Sequence, residues 1–279
     1  MLCAVISVAF LGAGVAAYIH NGGFNYHIDF VGGTELQVSF ENSIPVSELR
    51  EALSGEEWDS PVIQSVGTTG KDFFIRVKQD GKTLEERFTK AVSKKIKNNH
   101  ASITNIAWVG AEVGNDIKFV AIVAIFLALI GMLCYIAIRS EYRFAVGAVV
   151  ALAHDILIVL AVLLILGEQI SLNVLAALLT TLGYSINDTI VIFSRIREGF
   201  ATIKNHTEEE IVDISINQTL RRTLLTSFTT FLAVLALYLI GGEALKGFSL
   251  SMLVGIVAGT YSSIYIASPV MLAIGGKSR

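Results

Sequence analysis

Polar and apolar positions follow two different regimes along this chain. Six long apolar runs stand out, at residues 2–19, 117–138, 144–166, 170–193, 223–240 and 248–274. Each is close to the roughly 20 mostly apolar residues that a helix needs to cross a bilayer, where every backbone polar group must be satisfied within the segment. Between the first and second runs the pattern changes. Residues 35–40 and 73–78 alternate apolar and polar side chains as half-buried strands do, whereas 46–53 and 83–97 carry apolar residues at helical spacing. Thr83 and Glu86 have the spacing of a capping box. With 62–66 and 103–109 as further strands, the insert reads βαββαβ, a ferredoxin-like α+β domain. The predicted architecture is an α-helical polytopic membrane protein with six transmembrane helices: a transmembrane helix at 1–19, an extracytoplasmic ferredoxin-like domain at 20–116, and a five-helix region at 117–279 that contains a cytoplasmic loop at 194–222.

Composition sharpens the division. Only 16% of the chain is charged, against about 25% in ordinary soluble domains. Residues 20–116 hold 14 acidic and 10 basic side chains, a density typical of soluble domains, and the other 182 positions share the remaining 21. This pattern rules out a soluble enzyme, a disordered chain or a disulfide scaffold. With a net charge of −3 and no basic patch, no nucleic-acid partner is expected. Cys3 and Cys134 both lie in apolar runs, so no disulfide is expected. The insert has no cysteine, no paired histidines and no phosphate loop. The stretch at 67–71 has Ser65 where such a loop needs its first Gly and Asp72 where it needs Ser or Thr. The stretch at 276–278 fails likewise, with Met271 in the place of the first Gly. The fold class, the missing phosphate loop and the lack of metal-ligand clusters point to a non-enzyme without a metal or organic cofactor.

Orientation follows from the Lys and Arg near the helix ends. Arg139, Arg143, Arg195, Arg197, Lys204, Arg221, Arg222, Lys277 and Arg279 make nine on one side, against Lys118 and Lys246 on the other. Both termini are therefore expected in the cytoplasm and residues 20–116 outside. The first run reads as a span and not a cleaved signal, because no Lys or Arg precedes it and it exceeds the ~7–15 residues of a signal core. Asn-x-Ser/Thr matches at Asn187, Asn205 and Asn217 then fall in membrane or cytoplasm and are chance matches. The loop around Asn205 is expected to hold a short amphipathic helix begun by Thr207 and Glu210 as a capping box.

Ionisable groups in a bilayer cost ~2.5–3.5 kcal/mol or more near the helix centre, so each needs a reason. Three places qualify: Asp155 with His154 in the third span, Asp188 with Asn187 in the fourth, and Arg222 at the inner end of the fifth. Asp188 lies on a stripe with Ala177, Thr181, Tyr184 and Ser185, and the sixth span offers Gly255 and Gly259, a small-residue spacing for close helix packing. A purely adhesive role accounts for His154 alone, and snorkelling to the membrane face accounts for Arg222 alone. Shared depth changes the reading. The fourth span runs inward and the fifth outward, which brings Asp188 and Arg222 to the inner part of the membrane. A pair there, released when Asp188 takes up a proton, has the chemistry of a proton relay.

At these residues the chain resembles a known family. The segments Asp29-Phe30-Val31-Gly32-Gly33-Thr34, His154-Asp155, Tyr184-Ser185-Ile186-Asn187-Asp188-Thr189-Ile190-Val191, Arg195-Ile196-Arg197-Glu198, Asn217-Gln218-Thr219-Leu220, Arg222-Thr223-Leu224-Leu225-Thr226-Ser227 and Gly259-Thr260-Tyr261-Ser262-Ser263 through Pro269 closely resemble the SecF family of protein translocase subunits, within the resistance-nodulation-division superfamily. The match covers nearly the whole chain in the expected order. The resemblance implies a bacterial cytoplasmic (inner) membrane protein that pairs with SecD, associates with the SecYEG channel and couples the proton gradient to export of a preprotein substrate. It also implies that protons are the coupling ion and that Asp188 and Arg222 serve their conduction, with Asn187, Thr189, His154 and Asp155 as further candidates. Membrane lipid surrounds the bundle. Two residues depart from the family pattern: His27 stands where Gly is usual before Ile28-Asp29-Phe30, and Ser194 where Asp is frequent before Arg195. The lack of a basic stretch before the first span leaves open a trimmed N-terminus or the SecF-like half of a fused SecD and SecF chain.

Two other functions compete. A proton-driven small-molecule or lipid exporter of the same superfamily usually carries larger outer domains with a substrate pocket. An intramembrane aspartyl protease built on Asp155 and Asp188 needs two carboxylates that share a proton, and the estimated depths of the two differ.

Overall fold

The computed structural model describes residues 2–55, 58, 61–67, 69–78, 84–96 and 99–275. It divides into two compact units, one of residues 1–25 and 122–279, the other of residues 26–121.

The smaller unit grows from alternation. Strand β1 (Gly33–Phe40) buries every second residue, so Leu36, Val38 and Phe40 point one way and Glu35, Gln37 and Ser39 the other. It lies centrally in a four-stranded sheet with β2 (Val62–Val66), β3 (Asp72–Val77) and β4 (Ala101–Val109), in the order β2-β3-β1-β4 with every neighbouring pair antiparallel. A register shift in the β1–β4 pairing falls between Gln37 and Val38. Helices α3 (Val46–Ala52) and α4 (Leu84–Lys95) supply Leu49, Leu84, Phe88 and Val92 to one core with Leu36, Phe73 and Ile75. Lys95 lies in the last turn of α4 and Glu85 and Glu86 in its first, which suits the helix dipole. Thr83 of the expected capping box lies outside the described residues.

Alternation did not foretell α2 (Ile28–Val31), a single turn ahead of β1. It is closed by two glycines that no other residue replaces at low cost. Gly32 has φ +75° and a Cβ there would lie 2.5 Å from the Ala111 backbone, while Gly33 has φ +128° with the Val77 carbonyl 2.6 Å from its missing Cβ.

The larger unit is helical: α1 (Leu2–Asn21), α5 (Ala111–Arg139) from residue 122 onward, then α6 (Tyr142–Leu166), α7 (Leu172–Thr202), α8 (Glu208–Ile240), α9 (Glu243–Ser262) and α10 (Ser268–Gly275). Five stretches are long and apolar enough to cross a membrane, namely α5, α6, α7, α8 and residues 244–274, and residues 5–21 of α1 form a shorter apolar helix. A π-helical turn, Ser263–Ala267, joins α9 to α10 immediately before Pro269. Proline has no N–H and crowds the carbonyl four residues back, and a wider turn accommodates both.

The helices overrun the apolar runs, and the expected loop at 194–222 is almost entirely helical. α7 continues to Thr202, and α8 begins at Glu208 behind a complete capping box of Thr207 and Glu210. The predicted short helix is therefore the first part of α8 and not a separate element. Charged residues mark where the apolar environment stops, whereas backbone hydrogen bonding continues until a cap or an αL residue interrupts it. Asn205, at φ +66°, supplies that residue between the two helices.

α9 packs against α6, α7 and α8, and α1 packs against α6. α6 and the last span bury 50% and 56% of their most apolar stretches, against 11% for α5 and 17% for α8. The polar side chains of α6, α7 and α9 thus lie at the centre of the unit.

Candidate functional site

The site is made possible by small residues. Along α7, Thr181, Ser185 and Asp188 share one buried face. That face meets α9 where α9 carries glycine. A Cβ on Gly255 would lie 2.4 Å from the Thr181 side chain, and one on Gly259 would lie 2.9 Å from Ser185. Close approach of the two helices carries the hydroxyls of both into contact with carboxylates from α6 and α7.

Asp155 is wholly buried. Its Oδ2 accepts hydrogen bonds from Ser185 Oγ at 2.6 Å and Ser262 Oγ at 2.9 Å, and its Oδ1 lies 3.2 Å from His154 Nδ1. The other ring nitrogen, His154 Nε2, is 3.1 Å from Ser7 Oγ on α1, and Ser7 donates to the Tyr261 hydroxyl at 3.2 Å. The His154 and Tyr261 rings stack. Ser7, His154 and Tyr261 form the polar part of the wall of an otherwise apolar cavity of about 430 Å³ between α1, α6, α8 and α9.

Asp188 is 3% exposed. Its Oδ2 accepts from Ser227 Oγ on α8 at 3.1 Å, and Ser227 Oγ in turn accepts from Thr260 Oγ1 on α9 at 2.8 Å. Ser227 and Thr260 line a second groove, of about 610 Å³, between α8 and the last span, with Leu224, Phe228 and Tyr265.

The expected direct pair of Asp188 with Arg222 is not formed. Arg222 is exposed, no ion pair joins it to Asp188, and it acts on that carboxylate through space. Helix geometry gives the reason. Arg222 precedes Ser227 by five residues, about 7.5 Å along α8, and Ser227 occupies the position opposite Asp188. Asn187 is exposed on another face of α7, and the Thr189 hydroxyl is turned to the Ser185 carbonyl at 3.2 Å. The two carboxylates have separate partners and share no hydrogen bond, which does not suit a protease dyad.

The glycine-rich turn of the smaller unit carries a second cluster. Phe30 and Thr34 are buried, and Asp29 faces His27. His27 has ordinary extended backbone (φ −69°, ψ 162°), so the usual Gly of the family is not required at that position. Its ring lies 3.0 Å from Asp29 through Nδ1 and 3.2 Å from Glu35 through Nε2, and Glu35 is also held by Arg76 Nε. Burial alone lowers the imidazole pKa, but the hydrogen bonds to Asp29 and Glu35 outweigh it and raise it to about 9. Burial raises the Glu35 carboxyl, and its contacts with His27 and Arg76 bring it below its ordinary value. Among the described residues no group of three or more His, Cys, Asp or Glu side chains has the arrangement of a metal site.

Sequence reading named both carboxylates but missed Ser7, Ser227, Thr260 and Ser262 as their partners. A signal existed for Ser7, the only hydroxyl between residues 2 and 17.

Residues 88–277 match the family model described as "Protein export membrane protein SecD/SecF, C-terminal". Over 270 residues the chain is 39% identical to protein translocase subunit SecF of Escherichia coli O157:H7, covering 94% of this chain and 83% of that protein. It is 40% identical to the SecF of Vibrio alginolyticus over 255 residues, 90% of this chain and 80% of that one. The fold is similar to the crystal structure of SecDF, a translocon-associated membrane protein from Thermus thermophilus, with a TM-score of 0.87 and 34% identity. That likeness takes in 98% of this chain but only 37% of the longer SecDF chain.

Proposed function

The chain belongs to the SecD/SecF family of protein-export membrane proteins, and from that premise we propose that it works as the SecF part of a proton-driven export machine. It is a multi-pass membrane protein, and its relatives are transport proteins and not enzymes. Its partners in this reading are SecD, the SecYEG channel and the preprotein, and protons are the coupling ion. The chain crosses the bacterial cytoplasmic membrane six times, with α1 as the first span and both termini inside. Residues 20–116 then lie outside. The βαββαβ order and the β2-β3-β1-β4 sheet support reading that part as ferredoxin-like.

The observation that carries the proton reading is Asp188, a carboxylate buried in a membrane helix with one neutral hydrogen-bond partner and a cation acting through space. Intramembrane carboxylates with no fixed counter-ion in contact are suited to taking up and releasing protons. Arg222 is the cation on α8 nearest in sequence to Ser227, and the Ser227–Thr260 chain is the outlet to the groove. Moving one charge across the membrane potential supplies about 2.3 kcal/mol per 100 mV, enough to shift a conformational equilibrium some fifty-fold.

Asp188→Asn keeps volume and hydrogen-bonding capacity and removes the titratable charge. We expect the variant to assemble normally in the membrane and to lose gradient-dependent export in membrane vesicles. Full gradient-dependent export by that variant would exclude Asp188 as the relay. The exporter alternative predicts copurification of a lipid or drug without any Sec partner.

A further inference from the structure

The smaller unit keeps most of its large apolar side chains inside. Among the described residues between 26 and 116, five are exposed: Val31, Val62, Ile106, Trp108 and Val113. Val62 stands apart on the edge strand β2. The other four gather where β4 passes into α5. Ile106 and Trp108 share one face of β4, and Trp108 pairs with Thr34, which brings the α2 turn and Val31 to the same end. A Cβ on Gly110 would lie 3.8 Å from the Trp108 ring and 4.0 Å from the Val113 side chain, so ring and valine flank one glycine. Gly32, next to Val31, meets the first turn of α5 at Ala111. Single apolar residues scattered over a surface need no explanation, but four together at one end do.

Their place along α5 says what covers them. α5 runs for 29 residues, about 43 Å, whereas bilayer hydrocarbon is about 30 Å thick and the whole bilayer about 40–45 Å. Its apolar run begins at Ile117. The helical residues before that, from Ala111, rise about 9 Å and carry the helix through the headgroup layer. Val113 and the Trp108 ring beside it therefore stand at headgroup height. Val113 and Val120 lie two turns apart on one face of α5, and both are exposed. The patch thus continues an apolar face of the span. Tryptophan is enriched at that height, because its ring is apolar and its N–H finds partners among headgroups and water. Lys118 lies over the Tyr26 ring at 3.9 Å, a further pairing suited to the interface. The nearby acids, Glu112 and Asp116, are exposed where headgroups and water solvate them.

We propose that Trp108, Val113, Ile106 and Val31 form a membrane-surface anchor, seated in the phospholipid headgroup layer beside α5, which holds this end of the sheet against the bilayer. The proposal rests on α5 as a membrane span, and neither on the direction of that span nor on proton coupling. The anchor is firmly joined to the sheet behind it. A Cβ on Gly114 would lie 2.9 Å from the Gly32 nitrogen and 3.0 Å from the Phe30 backbone, so the start of α5 and the turn before β1 pack with no room for a methyl group.

Fluorescence quenching tests this. The chain has two tryptophans, and Trp58 lies in the core of the smaller unit, so Trp58→Phe leaves Trp108 as the sole indole. The full chain, with the partner it retains, is reconstituted in vesicles of phosphatidylethanolamine and phosphatidylglycerol. These carry lipids with a nitroxide either near the headgroup or near the chain end. About half of the Trp108 emission should be lost to the first, and little to the second or to iodide in the water. Should Trp58→Phe not fold, wild-type emission minus that of Trp108→Phe reports the same residue. Strong quenching by iodide would put Trp108 in open water, and quenching mainly by the chain-end nitroxide would put it deep in hydrocarbon. Quenching by none of them would put it under a protein partner. Each of these three results overturns the anchor. Export in Asp188→Asn is read separately, so the anchor and the proton reading can fail independently.

Discussion

His27 shows how one substitution is absorbed by its neighbours. Its ring is charged because Asp29 and Glu35 hold it, and its folded pKa of about 9 lies above the ordinary imidazole value. A raised folded pKa stabilises the fold fully below the unfolded pKa, and the contribution fades as pH rises through the folded one. The smaller unit should therefore lose up to about 3 kcal/mol between about pH 6.5 and 9. The figure is an upper bound, since water reaches part of the cluster. Glu35 acts at the other end: its lowered pKa gives stability above the ordinary carboxylate value that fades as pH falls through the folded one. Hydrogen-exchange protection at β1 and β3 in the intact protein, taken relative to the base-catalysed intrinsic rate, checks the His27 part: it should fall at alkaline pH and change little there in His27→Gln. Sequence made such residues visible as types but not as partners. Asp155, Asp188 and His154 announce themselves because charge in an apolar run is costly. Depth along two helices does not fix rotation, and a single hydroxyl, Ser227, occupies the position facing Asp188.

At the scale of elements, the α7–α9 seam carries the site, and its tolerance is measurable. A methyl on Gly255 would meet the Thr181 side chain at 2.4 Å, and overpacking of that kind costs typically ~1–3 kcal/mol. We expect Gly255→Ala to destabilise the bundle by that amount. Thr181→Ala in the same chain should recover most of the loss, since it removes the two nearest atoms and leaves Cβ at 3.0 Å. A double-mutant cycle on detergent-resistant unfolding reads the coupling; additive losses would mean that the helices meet elsewhere. Element type was legible because period-2 and period-3.6 patterns survive in short windows. Element ends in the larger unit were less so. Apolar content located the spans but not the continuation of α7 to Thr202 or the start of α8 at Glu208. The cap that does mark the start, Thr207 with Glu210, was readable from spacing alone. The π-helical turn before Pro269 had no periodic signature, since it changes the hydrogen-bonding step and not the composition.

For the whole molecule, orientation and partnership follow from its surfaces. Nine Lys and Arg near helix ends on one side against two on the other predict that a cysteine at Ser102, exposed on β4, is labelled by an impermeant reagent added outside, and one at Asn205 is not. Reversed labelling would overturn the topology and every inward or outward assignment with it. Partnership is more selective. The polar stripe of α7 is covered within the chain: Ala177, Thr181 and Ser185 are buried, and Thr181 and Ser185 lie against the glycines of α9. That contact also occupies the Gly255 and Gly259 face, so those glycines are used within the chain. Among the five long apolar spans, α5 and α8 are the least covered. Phe119, Val120, Phe126 and Leu127 give α5 an apolar exposed face suited to lipid tails. α8 is different: Leu224 and Phe228 are about half exposed or more, but the groove beside them also holds Ser227, Thr260 and Tyr265. Polar groups at such a surface are costly against hydrocarbon, which favours protein as the neighbour. Cysteines at Leu224 or Phe228 should therefore capture SecD in native membranes, and cysteines at Ala177 or Thr181 should not. Crosslinking at Phe126 in preference to Phe228 would move the partner to α5 and leave the Ser227–Thr260 groove facing lipid, which the cost of its hydroxyls argues against.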